Sequence, residues 1–215
     1  MRLSNMKNFL AKNLKDKVNS MNKLMGFYEL KSMNLPSIPW KEYTGKEELA
    51  NDRLWTIRSA VFKGDDLNLP RMVGEDGKKA KDFADSLLER LQNRGIVVYY
   101  PYFVANKSGT LNIFLNDLVI EAVKADLWNL VTYSDREVTI RFDGLTEQID
   151  GNTDFLSEDE KNEILRYVPE IRRLFRDELI EGKSILLEWS FAQDSSAEKK
   201  PVGDEYLVFY EARTV

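Results

Sequence analysis

The chain contains no histidine and no cysteine. Without histidine there is no Ser-His-Asp triad, no imidazole general base, no imidazole metal ligand and no phosphohistidine carried on this chain. Without cysteine there is no disulfide framework, no thiolate nucleophile and no zinc-thiolate site. Any metal would therefore be held by oxygen ligands, which favours Mg²⁺, Mn²⁺ or Ca²⁺. No run of about 18 apolar residues occurs, so no membrane span is expected. No signal-peptide pattern opens the chain, and the cytoplasm is the expected location. The net charge of −5 makes a general nucleic-acid binder an unlikely class.

What is present suffices for a folded core. The chain has 215 residues, 43% of them hydrophobic, with 11 Phe, 9 Tyr and 4 Trp. That length fits one large domain or two small lobes. The end of the chain is the most informative stretch. Ile185–Phe191 and Tyr206–Arg213 read as strands, joined by a polar loop over Ala192–Glu205. Nearly every position of both is apolar, as in strands buried on two faces. Each nevertheless carries a carboxylate, Glu188 and Glu211, and the second also carries Arg213. A buried carboxylate is costly unless paired, protonated or bound to a cation. The pattern points to a charged pocket set into a hairpin, with an ordinary Glu–Arg pair at a strand end as the alternative.

Upstream, Leu3, Met6, Leu10, Leu14, Val18, Met21, Met25 and Tyr28 recur at spacings of three and four, which predicts a helix over 2–31. It is basic, with seven Lys or Arg against Asp16 and Glu29. Leu35-Pro-Ser-Ile-Pro-Trp40 stops it. Arg53–Phe62 reads as a buried strand with Arg58 in its middle, followed by a loop over Lys63–Gly77 and a helix over Lys78–Arg94 closed by Gly95. Next come strands at Ile96–Val104, Thr110–Leu115, Leu118–Val123, Trp128–Tyr133 and Glu137–Phe142. Asn106–Gly109 reads as a turn and Asn116-Asp117 as a hairpin tip. After a loop near Gly144–Phe155, Ser157 and Glu160 have capping-box spacing. The helix they open is expected to run to Gly182 with a kink at Pro169. The fold class expected is α+β, a mostly antiparallel sheet flanked by helices. One compact unit would combine residues 1–95, a small N-terminal lobe, with 96–215, a sheet lobe ending in the hairpin.

In this order the segments resemble the ATP-grasp domain of the pyruvate phosphate dikinase and phosphoenolpyruvate synthase family, in a trimmed form, over most of residues 20–215. That family has Val-Arg-Ser-Ser followed by Glu-Asp-Leu-Pro; here Ile57-Arg58-Ser59-Ala60 precedes Asp65-Asp66-Leu67. Its Gln-x-Met-Val strand leads to Ala-Ser-Gly-Val; here Pro101–Val104 leads to Lys107-Ser108-Gly109-Thr110. Its Asp-Ile-Glu-Trp is matched by Leu186-Leu187-Glu188-Trp189, and its closing Gln-Ala-Arg by Glu211-Ala212-Arg213. Its opening Gly-Gly-Lys is matched by Met21-Asn22-Lys23. No single motif is specific; the collinear order is.

The resemblance implies an ATP-grasp-like fold that binds ATP with Mg²⁺. By that likeness Lys23 and Arg58 contact phosphates, and Arg213 meets the transferring phosphate. Glu188 binds metal, with Glu211 returning a carboxylate to the same pocket. Tyr102 and Val104 border the adenine, and Ser108 lies in the Ser-Gly turn. Phosphoryl transfer depends chiefly on positioning and charge neutralisation, which needs no histidine base. The departures are Leu186 for the family's Asp, Glu211 for its Gln, Asn22 for its second Gly, and Lys124–Leu127 for its Gly-Leu-Gly-Glu, with Asp126 as a substitute carboxylate. The family's swivelling phosphohistidine domain has no counterpart. The implied activity is an ATP-dependent phosphotransferase or ligase whose acceptor is a small molecule or a group on a separate partner protein. Two alternatives stand beside it: a nucleotide-binding or structural protein that has lost catalysis, and an interaction protein using the basic helix on a membrane or nucleic acid.

Overall fold

Two antiparallel sheets share a core, and the chain passes from one to the other at residues 101–103. The computed structural model describes residues 23–62, 69–127, 130 and 135–215, with residues 23–25 by backbone alone. The predicted helix over 2–31 is therefore seen only in its last part, as α1 (Lys23–Ser32). Its stripe from Leu3 to Met21, the Asn22 position and the Asp65-Asp66-Leu67 stretch lie outside the described residues.

The smaller sheet has the order β1-β4-β2-β3, built from β1 (Lys41–Tyr43), β2 (Trp55–Val61), β3 (Met72–Glu75) and β4 (Gly95–Pro101). Helix α2 (Gly77–Leu91) covers its outer face. Asp76 caps that helix by accepting from the Lys79 N–H, and its alanines and Leu87 pack on Ile57 and Val97. Two expectations change here. Met72–Glu75 is an edge strand where a loop was predicted. The predicted strand Ile96–Val104 is two strands in two sheets, so the first sheet takes in residues up to Pro101 and not only to 95.

The larger sheet has the order β10-β9-β5-β6-β7-β8. Its strands are β5 (Phe103–Ile113), β6 (Leu118–Lys124), β7 (Val138–Phe142), β8 (Glu147–Gly151), β9 (Ile185–Ser195) and β10 (Pro201–Thr214). The Asn116-Asp117 hairpin tip is as expected, and the final two strands pair as a hairpin, but most of the predicted loop Ala192–Glu205 is itself strand, leaving only 196–200 as the turn. Asn106–Gly109 is not a turn but the interior of β5. The composition misleads because Gly109 serves a close approach: a β-carbon there would lie 2.1 Å from the Glu121 carbonyl oxygen and 2.4 Å from a ring carbon of Trp189. Glu147–Gly151 forms an edge strand inside a predicted loop. Of the predicted strand Trp128–Tyr133 only Leu130 is described, and it is helical and buried.

One face of the larger sheet is covered by α3 (Glu158–Leu165), α4 (Val168–Leu174) and α5 (Arg176–Ile180), which bury Ile164, Val168, Ile171, Phe175 and Leu179 against Leu111, Ile120, Leu187 and Trp189. The capping box is formed: Ser157 and Glu160 satisfy each other's backbone N–H groups. The predicted single helix is three short ones, because Pro169 falls in the first turn of α4, where a missing N–H costs nothing. The other face meets the smaller sheet through Val98, Tyr100, Val123, Ala192, Val208 and Tyr210, with Phe27 and Trp40 closing the side. No helix among the described residues is long and apolar enough to cross a membrane.

Gly109→Ala drives a methyl into backbone and into the Trp189 ring at once. It should destabilise the protein by about 3 kcal/mol or more, measured as a loss of urea midpoint at unchanged m-value.

Candidate functional site

A β-bulge creates the site. In the β9–β10 ladder Phe209 pairs with Trp189 and Glu211 pairs with Glu188, leaving Tyr210 as the extra residue. On β10, Leu207, Phe209 and Ala212 face the helix-covered core, while Val208 and Tyr210 face the smaller sheet. Strict alternation would send Glu211 into the apolar core after Tyr210. The bulge absorbs one residue, so Tyr210 and Glu211 both face the smaller sheet. Glu188 lies beside Glu211 on the neighbouring strand, half-buried, with Thr110 of β5 opposite it on the far side.

Arg58 comes from the facing sheet. It occupies the centre of β2, whose middle five residues are all buried. Its Nη2 donates to Glu211 Oε2 at 2.6 Å, with both side chains only 8% exposed. Burial alone would weaken the guanidinium's hold on its proton. Tyr100, Glu211 and Glu188 outweigh that and raise its pKa above the ordinary arginine value. Its Cζ also lies 5.5 Å from the centre of the Phe27 ring. The Tyr100 hydroxyl is hydrogen-bonded to Arg58, but burial keeps its pKa raised. Burial first, and then the Glu188 charge, push Tyr210 well above the usual phenol range, against the opposing effect of its hydrogen bond with Ser190, whose oxygen accepts from the neutral phenol.

A second hydrogen-bonded chain fixes the neighbouring strands. Ser108 Oγ donates to the Ala125 carbonyl at 2.6 Å, and Ser108 and Ser190 hydroxyls lie 2.8 Å apart. Since Ser108 spends its one proton on Ala125, Ser190 donates to Ser108. Ser108 is fully buried. Its hydroxyl is committed to this chain and is not presented to a ligand, contrary to the expectation for a Ser-Gly turn.

The other expected residues are placed as follows. Lys23 opens α1, with its side chain outside the described atoms. Arg213 lies two residues beyond Glu211 on the same face, opposite Leu186, half-buried and without an ion pair among the described residues. Tyr102 sits at the crossing between the sheets, its N–H donating to the Leu54 carbonyl. Burial and then the Asp126 charge raise its pKa. Val104 pairs with Gln193 in the β5–β9 ladder. Thus Arg58, Glu188 and Glu211 come together, Arg213 borders them, and Tyr102 and Val104 mark the junction. Tyr210 and the Ser190 link were missed, because nothing in Phe209–Ala212 announces a bulge. A surface pocket of about 430 Å³, lined by Asn34, Pro36, Arg166, Tyr167 and Glu170 among others, contains none of these residues.

The donor set constrains any metal. Among the described residues no group of three or more acidic side chains is arranged around one point. Glu188 and Glu211 are two, and Arg58 already neutralises one of them. A pair of carboxylates suits Mg²⁺ that arrives with phosphate oxygens and water, and does not suit an ion held by protein alone.

No protein-family model matches the chain, and no curated protein matches it. Among solved structures, the chain is similar to the macrocyclase MdnC from Microcystis aeruginosa MRC, seen in a crystal structure bound with the precursor peptide MdnA. The identity is 13% and the TM-score 0.42, over 88% of this chain and 51% of that one. The chain thus spans about half the length of that protein.

Arg58→Met or Glu211→Leu alone breaks the buried ion pair and should cost about 3–5 kcal/mol. The double variant should be less destabilised than the sum, by a coupling above about 1 kcal/mol in a double-mutant cycle read by urea unfolding.

Proposed function

We propose that this protein is a nucleotide-binding phosphotransferase or ligase of ATP-grasp type that uses ATP with Mg²⁺. The observation that carries this reading is the constellation of Arg58, Glu188 and Glu211 between two sheets, with Arg213 at its border. A polyphosphate needs fixed cations and a metal held by few carboxylates. Arg58 and Arg213 would take phosphate oxygens, with Lys23 as a third cation. Glu188 and Glu211 would hold Mg²⁺, which supplies charge neutralisation across the phosphates. Tyr102 and Val104 at the lobe junction would border the base. The acceptor would be a small molecule or a group on a separate partner protein.

The ion pair makes binding of the two components interdependent. For phosphate to reach Arg58, the Glu211 carboxylate must leave the guanidinium. Without a metal to receive it, the Glu211 carboxylate would lose its buried arginine contact with no cation in its place, and breaking a buried ion pair is costly. Mg²⁺ without phosphate takes Glu211 from Arg58 and supplies no anion of its own in exchange. ATP and Mg²⁺ should therefore bind together far better than either alone.

A second reading, a nucleotide-binding or purely structural scaffold without catalysis, is favoured by the closed Arg58–Glu211 contact. Thermal unfolding separates the two. A native-state ligand at a hundredfold excess over its Kd stabilises by about 2.7 kcal/mol. The expected result is a rise in Tm with ATP and Mg²⁺ together, little with either alone, and none in Glu188→Gln, accompanied by ATP turnover. Binding without turnover would support the inactive binder. No shift at millimolar ATP and Mg²⁺ would leave the scaffold.

A further inference from the structure

The larger sheet ends differently at its two edges. At β10 the edge is partly covered: the Phe209 N–H donates to the Pro36 carbonyl, and the Ile38 N–H donates to the Phe209 carbonyl. At β8 every residue is exposed, and among the described residues no strand pairs with its outer side. The hairpin shows which backbone groups this leaves open. The Asp143 N–H donates to the Thr146 carbonyl, so 143 and 146 are a hydrogen-bonded pair at the β7–β8 turn. Such pairs alternate along an antiparallel ladder. Arg141 with Gln148 and Thr139 with Asp150 are therefore bonded pairs, whereas Glu147 and Ile149 turn their N–H and C=O groups outward. Side chains alternate as well. Ile149 pairs with the buried Ile140, and Glu147 meets Lys161 of α3 at 3.1 Å, so both lie on the helix-covered face. Gln148 and Asp150 lie on the other.

Charge around this edge has one sign. Residues 137–161 carry eight Asp or Glu against Arg141 and Lys161, a net −6, so the rest of the chain contributes +1 to the total of −5. A second copy pairing through β8 would set this charge against itself, and charged edges oppose such pairing. The same charge attracts a basic strand.

We infer that β8 is a docking edge for an extended basic segment of a partner protein, which adds to the six-stranded sheet as a further antiparallel strand. Its backbone bonds the outward groups of Glu147 and Ile149. An apolar residue opposite Ile149 lengthens the Ile140–Ile149 row, and a Lys or Arg on either side of it faces Gln148 and Asp150. The edge lies at the far end of the sheet from β10, which carries Glu211, so the inference does not depend on the nucleotide reading.

The test titrates the full chain with the end-capped peptide Thr-Lys-Ile-Lys-Thr, and with Thr-Glu-Ile-Glu-Thr as its acidic counterpart, read by NMR. The basic peptide should slow hydrogen exchange at the Glu147 and Ile149 amides and change little at Gln148 and Asp150, which β7 already bonds. The acidic peptide should bind about tenfold more weakly, and Asp150→Lys should narrow that preference. N-methylation of the peptide's isoleucine, whose N–H faces β8, removes a hydrogen bond and should weaken binding about fivefold. N-methylation of a lysine, whose N–H faces away, should leave it unchanged. Equal effects of the two methylations overturn strand addition in favour of general charge attraction. Slow exchange at Glu147 and Ile149 without peptide shows the edge already occupied and overturns the inference, by a second copy where it grows with protein concentration and by this chain itself where it does not. No binding of the basic peptide at millimolar concentration overturns the docking edge outright.

Discussion

Everything near the site depends on one buried ion pair. Arg58 and Glu211 come from different sheets and meet where water is almost excluded. Removing two charges from water costs several kcal/mol each, and attraction recovers that only with close geometry and additional partners. The structure supplies both. Tyr100 bonds the guanidinium, Phe27 covers it, and Glu188 adds a second negative charge on the adjacent strand. The bulge at Tyr210 turns Glu211 toward the arginine, and the Ser190–Ser108 link ties β9, the neighbour of the strand that carries Glu211, to β5. An apolar pair of equal volume would hold the sheets at least as well. Retaining charge here is therefore weak evidence for stability and better evidence for a task that needs charge.

Most of the framework was legible from patterning. The buried run around Arg58, the Asn116-Asp117 tip and the Ser157 capping box each depend on a few neighbouring residues, and each is seen; the helix expected to close at Gly95 instead ends at Leu91 with Gln92 in the left-handed cap, and Gly95 opens β4. The errors share a different cause. Asn106–Gly109 has turn composition, but Gly109 answers to Trp189, a residue 80 positions away. Glu147–Gly151 is exposed along its whole length, so no apolar alternation marks it as a strand. The final hairpin runs on past the expected polar loop boundary because its outer half is paired without being buried.

The site was legible in its parts and not in its arrangement. An arginine in the apolar run of β2 must find a partner, and carboxylates on apolar strands must do the same. That logic selects Arg58, Glu188 and Glu211 from composition alone. Which residues meet depends on a bulge of one residue and on the packing of two sheets, which local pattern does not encode. Ser108 shows the converse: a hydroxyl in a familiar dipeptide is used up by strand-to-strand bonding.

The separation of Arg58 and Glu211 along the chain, 153 residues, bears on how the protein acquires its site. The strands β5 to β8 form a meander of near neighbours, whereas β9 must return from beyond three helices to pair with β5. Long-range pairings of this kind form slowly and late, since loop closure precedes their reward. By that argument the charged cluster should form late, its two halves meeting only once β9 and β10 have paired. Until β10 has docked on β9, Arg58 has no Glu211 to receive it. Assembly of the charged cluster thus waits on the docking of a single strand, β10.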